Sequence, residues 1–154
     1  MDEVGSALGE VERQQAELAG RLRLPGWYVV LYAVGAAALL GAPVLYVTGF
    51  GVVGALAQVL GLAALCSPAF LVPRLVGVSL PARTSAAYPS VARTVLLQVG
   101  ALAVGTVGVL VLILNGLVGA ALGVAVLGGA AAGVAVRNVY LGIGRDVAAG
   151  KVRA

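Results

Sequence analysis

Apolar positions run almost unbroken through two long blocks of this chain. No charged residue falls between Arg23 and Arg74, and none between Arg93 and Arg137. A helix needs about 20 apolar residues to cross roughly 30 Å of hydrocarbon at about 1.5 Å per residue, so each block suits two spans and a tight turn. The pattern predicts four transmembrane helices, near 27–47, 50–72, 93–114 and 116–137. Barrel strands would alternate polar and apolar residues, and LLQVGALAVGTVGVLVLILNG does not. A helix satisfies its own backbone in lipid even where Gly and Val abound. The expected fold is therefore an all-α membrane protein. It divides into a segment at 1–25, a first transmembrane hairpin at 26–73, a loop at 74–92, a second hairpin at 93–137 and a tail at 138–154.

Before the first block the pattern changes period. Val4, Leu8, Val11, Leu18 and Leu22 recur in steps of four and three, with Gln15 in the missing place of the seam. That is heptad-like spacing, and a polar residue in such a seam sets register, so the segment predicts an amphipathic helix for oligomerisation or partner docking; the alternative is a helix lying on the membrane surface or over the cytoplasmic ends of the bundle. Its start, MDEVG, is acidic where a cleaved signal peptide is basic, so the first span is expected to be retained.

Composition agrees with the pattern: 61% of residues are hydrophobic and 10% charged, against about 25% charged in soluble domains. The placement of charge says more than its amount. All ten basic residues fall in three places: Arg13, Arg21 and Arg23; Arg74, Arg83 and Arg93; Arg137, Arg145, Lys151 and Arg153. The connections around VTGFG and NG carry none, so the positive-inside bias predicts both termini and the 74–92 loop in the cytoplasm. The net charge of +4 is thus a topology signal and a means of touching lipid headgroups, with no nucleic-acid partner expected. Nine arginines against one lysine, amid much Ala, Gly and Val, fit a GC-rich genome.

The chain also echoes itself. Shifted by 65 residues, Val30, Leu31, Val34, Gly35 and Ala36 fall on Val95, Leu96, Val99, Gly100 and Ala101, and Gly51, Val53, Gly54 and Ala55 fall on Gly116, Val118, Gly119 and Ala120; there are 14 identities without a gap from 30 to 62. The expectation is a duplicated hairpin, its copies parallel and related by an axis along the membrane normal. Gly119 and Gly123, with Ala121, Ala125, Gly129 and Gly133, put small residues at four-residue intervals on the last span, the pattern that lets helix backbones approach. The fourth helix is accordingly expected to be the centre of helix contact.

Candidate chemistry is sparse. The chain has no histidine, and its one cysteine, Cys66, reads as a small buried hydrophobe. All six acidic residues, Asp2, Glu3, Glu10, Glu12, Glu17 and Asp146, lie outside the expected spans, which argues against proton-coupled transport and paired-carboxylate chemistry. No catalytic, cofactor-binding or metal-binding residue is expected. Gln58, Gln98, Thr94 and Thr106 are the polar residues that could bond helices together or line a narrow path. Trp27, Tyr28 and Tyr46 suit the headgroup interface, and Pro43, Pro68 and Pro73 are expected to kink or end helices. GIGRDVAAGK lacks the strand and the Ser or Thr of a phosphate loop and is expected to be a flexible tail.

RLRLPGWYVV, with Pro25, Trp27 and Tyr28, resembles the start of small uncharacterised membrane proteins of actinobacteria, in which a charged amphipathic helix precedes a Pro-x-Trp-Tyr motif and four apolar helices. The resemblance implies topology alone and brings no site residues. The function expected is a non-enzymatic membrane scaffold or an accessory or regulatory subunit. It would associate with lipid and with itself or another membrane protein. The alternative is a small homo-oligomeric pore or uncoupled transporter, with the four polar residues along its path. A lipid-directed enzyme would have to use Arg74, Arg83, Tyr88 or Arg93.

Overall fold

The structure, a computed structural model, describes residues 24–76 and 89–149, together with 9, 10, 13, 14 and 17 of the amino-terminal segment. Val4, Leu8, Val11, Gln15, Leu18 and Leu22 lie outside the described residues, as do 77–88 and 150–154. Of the amino-terminal side chains, Glu10 accepts hydrogen bonds from Arg13 at 2.8 Å and Gln14 at 3.1 Å. Arg13 first, then Gln14, holds the Glu10 carboxyl below its ordinary range.

Four helices make up the rest: α1 Gly26–Val47, α2 Gly51–Val76, α3 Pro89–Leu114 and α4 Val118–Ala148. Each has a stretch long and apolar enough to cross a membrane, which gives a multi-pass, all-α architecture among the described residues. Pro43 lies inside α1, and Pro68 and Pro73 inside α2; none ends its helix.

The two tight turns are built alike. Gly49 and Gly116 take positive φ, 88° and 73°, where a side chain would be strained. Phe50 N–H donates to the Leu45 carbonyl and Leu117 N–H to that of Leu112, both at 2.9 Å, while the two glycine N–H groups reach Tyr46 and Ile113. This is the Schellman arrangement, which satisfies the last carbonyls of a helix. Thr48 Oγ1 and Asn115 Nδ2 each bond a carbonyl four residues back. The matching turns lie 67 residues apart, so the 65-residue register sets helical Gly51 against Gly116 of the turn. A single gapless repeat therefore does not superpose the two turns; a two-residue shift is needed, and at that shift Val59, Leu60 and Gly61 fall on Val126, Leu127 and Gly128.

The helices stand in the spatial order α2, α1, α4, α3, with a lesser contact of α1 on α3 and no comparable contact of α2 on α3 or α4 among the described residues. A twofold axis relating α1 to α3 and α2 to α4 would match the α1–α4 contact with one of α2 on α3. The structure has none of that extent. Helix α1 is the most buried of the four, ahead of α4, so the centre of the molecule is this pair and not α4 alone.

Sequence period explains the pairing. Buried positions on α4 fall at Ala121, Ala125, Gly129, Ala132, Val136, Tyr140 and Ile143, in steps of four and three, one stripe of a helix. On α1 the stripe is Tyr28, Tyr32, Ala36, Leu40 and Val44. A Cβ on Gly129 would lie 2.5 Å from the Ala33 carbonyl oxygen, and one on Gly133 would lie 2.8 Å from Ala33 Cβ, so backbone meets backbone here.

The α4 stripe continues past Arg137, which overturns the flexible tail expected at 142–151. Residues 142–148 are helical, and Gly142, Ile143, Gly144 and Asp146 are buried. The physical reason is that Tyr140 and Ile143 join Tyr28, Tyr32, Val72 and Val91 in one apolar cluster. At about 1.5 Å per residue the 31 residues of α4 run about 46 Å, well past a hydrocarbon core of roughly 30 Å.

Candidate functional site

Tyrosines on α1 organise the polar groups within the spans. Nearest the end at which α1 begins and α4 finishes, Tyr28 is wholly buried, its hydroxyl 2.8 Å from Ser67 Oγ on α2. Ser67 donates its only hydroxyl hydrogen to the Ala64 carbonyl at 2.6 Å, so Tyr28 is the donor of the pair. The Ala64 carbonyl is available because residue 68 is proline and has no N–H to fill the helical bond. Pro68 thus prepares the acceptor that orients Ser67, and Ser67 in turn orients Tyr28.

One turn deeper, Tyr32 accepts a hydrogen bond of 2.8 Å from Gln98 Nε2 on α3. Towards the turn end, Tyr46 donates to Gln58 Oε1 on α2 at 3.0 Å. Each α1 tyrosine that bonds another helix therefore meets a different side chain: Ser67, Gln98 or Gln58.

The residues singled out by sequence are distributed as follows. Gln58 and Gln98 each bond a tyrosine of α1 and stand on separate helices. Thr94 and Gln98 share a groove between α3 and α4 with Asn138, and neither Gln58 nor Thr106 lines it. Thr106 is exposed and donates to the Leu102 carbonyl. Gly129 and Gly133 lie against α1, and Ala125 lies 3.7 Å from the position of a Cβ on Gly41, whereas a Cβ on Gly119 or Gly123 would meet nothing within 4 Å.

Trp27 and Tyr46 are exposed. Tyr28, expected at the headgroup interface, instead has no exposed surface. It stands on the inner stripe of α1, four residues before Tyr32, with its ring edge-on to Trp27 at 5.8 Å. Arg74, Arg93 and Arg137 are exposed, and Arg83 and Tyr88 lie outside the described residues. Cys66, expected to be buried, is exposed on α2, at a position that the other described helices of this chain leave uncovered.

Sequence reasoning missed the α1–α2 seam. A Cβ on Gly61 would stand 2.6 Å from the Gly35 carbonyl oxygen and 2.8 Å from Leu39 Cβ, and one on Gly54 would stand 3.2 Å from the Ala42 carbonyl oxygen. The signal was present: Gly54, Gly61 and Pro68 are seven residues apart, with Ala57 and Ala64 between them. Asn138 and Tyr140 also escape the sequence pattern, because they lie beyond Arg137, where the uncharged block ends.

Among the described residues no group of three or more His, Cys, Asp or Glu is placed to hold a metal ion. Nor does any buried side-chain nitrogen or oxygen among them lack a hydrogen-bond partner. The chemistry these contacts perform is the fixing of helices to one another. No protein family, no curated protein and no solved structure matches this chain.

Proposed function

We propose that this chain is a non-enzymatic membrane scaffold, an accessory or regulatory subunit that binds through its helices to a second copy or to another membrane protein. Its two hairpins lie in a bacterial inner membrane with both termini and the 74–92 segment in the cytoplasm, where its arginines concentrate. The observation that carries the reading is the split use of glycine. Gly54, Gly61, Gly129 and Gly133 meet neighbouring helices of this chain, while Gly100, Gly108, Gly119 and Gly123 face open space. Small residues on an outward face let another backbone approach closely.

The polar side chains of the spans support the same reading, since Tyr28, Tyr32, Tyr46, Ser67, Gln58 and Gln98 are occupied with one another. A homo-oligomeric pore is the alternative, and it draws less support. Gln58, Gln98 and Thr106 stand on different parts of the molecule, and Thr106 bonds its own backbone. Native mass spectrometry of the protein extracted gently from its host membrane tests the proposal. A homo-oligomer or a fixed stoichiometry with another protein is expected; a monomer carrying only lipid contradicts it.

A further inference from the structure

Two grooves open on the lipid-facing surface. One, about 600 Å³ between α1 and α2, is walled by residues such as Leu31, Val34, Leu56 and Leu60, and the polar residue in its lining, Ser67, has its hydroxyl engaged. The other, about 450 Å³ between α3 and α4, is graded. Leu97, Ala101, Ala131 and Val134 form apolar walls, and Thr94, Gln98 and Asn138 gather towards the end at which α3 begins and α4 finishes. Small residues on α4, including Gly128 and Ala132, leave the groove its width.

We propose that the α3–α4 groove holds one acyl chain of an anionic glycerophospholipid whose phosphate sits between Arg93 and Arg137. The inference rests on the chain spanning a membrane and is independent of the scaffold reading. Thr94 and Asn138 both line the groove and are each 22 residues from Gly116 at the turn, so antiparallel pairing of α3 and α4 puts them at one level. Arg93 and Arg137 immediately precede them.

Arg93 is four residues before Leu97, and Arg137 is three after Val134. On a helix those spacings make neighbours on one face, so each arginine stands above a wall of the groove. Both are exposed. Two guanidinium groups above an apolar slot match a phosphate above a hydrocarbon chain, and basic sites between transmembrane helices recognise anionic headgroups in this way. The Thr94 hydroxyl and the Asn138 amide start at the same depth as the arginine backbones, residue 93 lying one residue further from the turn than 94 and residue 137 one residue nearer it than 138. The long arginine stems carry the guanidinium groups past them to the phosphate and leave Thr94 and Asn138 to the glycerol esters. Gln98 uses one amide hydrogen on Tyr32 and keeps a second donor and a carbonyl acceptor.

The test reconstitutes the full chain in phosphatidylcholine vesicles doped with phosphatidylglycerol that carries a diazirine on its acyl chain. Light-induced labels are then mapped by mass spectrometry. Labels concentrated on Leu97, Ala101, Ala131 and Val134 are expected. Arg93→Ala with Arg137→Ala should cut them about tenfold or more, while Arg74→Ala on α2 leaves them unchanged.

Competition on the unaltered protein gives a readout that does not depend on the variants folding: replacing part of the phosphatidylcholine by unlabelled phosphatidylglycerol should displace the probe, and replacing the same part by phosphatidylethanolamine, which has no net charge, should not. Labels spread evenly over α2 and α3, equal competition by the two lipids, or labelling undiminished in a folded double variant would overturn the proposal. So would a groove that takes no lipid and cross-links instead to a second copy.

Discussion

At the scale of single residues, the glycines of this chain differ in what surrounds them, and substitution should sort them. Gly129→Ala would drive a methyl to 2.5 Å from the Ala33 carbonyl oxygen and from Ala37 Cβ. Because backbone cannot yield as a side chain does, a loss of about 1–3 kcal/mol is expected. Gly119→Ala, which meets nothing within 4 Å, should leave the stability of the monomer unchanged. Unfolding of the two variants in mixed micelles checks this, and equal stability would contradict the close approach of α1 and α4. The Tyr32 and Gln98 pair is separable by a double-mutant cycle. Tyr32→Phe and Gln98→Leu should show a coupling of about 0.6 kcal/mol, the usual worth of such a bond within a membrane, and additive losses would mean that no bond exists. Residues of this kind were only half legible. Gln58 and Gln98 stood out as polar letters in apolar blocks, but their partners did not, because a tyrosine can serve either a headgroup interface or an interior bond. Only the i, i+4 placement of Tyr28 before Tyr32 on the inner stripe decides between these.

At the scale of elements, the helices were legible as spans because charge is excluded from hydrocarbon, and their ends were less so. Arg137 marks the end of the uncharged block and not the end of the helix. Helix α4 runs on to Ala148 because Tyr140 and Ile143 extend a stripe that begins at Ala121, a continuity visible in the spacing. Pro68, expected to kink or end its helix, does not end it. Pro68 removes one helical bond, but Ser67 fills the vacated Ala64 carbonyl, so α2 continues. Hydrogen exchange separates the two views of the last segment: amides at 138–148 should exchange as slowly as those of a packed helix, whereas a flexible tail would exchange them at once. Ile143→Ala should speed exchange at 138–148 before it affects α1 and α2. No change in that segment would mean that Ile143 does not hold it.

At the scale of the whole molecule, an apolar chain reveals that it crosses a membrane more readily than which helix meets which. Repeats of Ala, Gly, Val and Leu made α1 and α3 look equivalent. The contacts instead put α1 inside and α3 outside, through the α4 stripe and the α1 tyrosines, neither of which α3 reproduces. An open row of helices leaves outward glycines, and on those the scaffold account depends. The most direct test is disulfide cross-linking in the host membrane. Cysteine is placed at 119 or 123, with Cys66→Ala because Cys66 is itself exposed. The account predicts a cross-linked species at 119 and 123, to a second copy or to one defined partner, and none at 52 on the outer face of α2. Equal cross-linking at all three positions, or none at any, would contradict it.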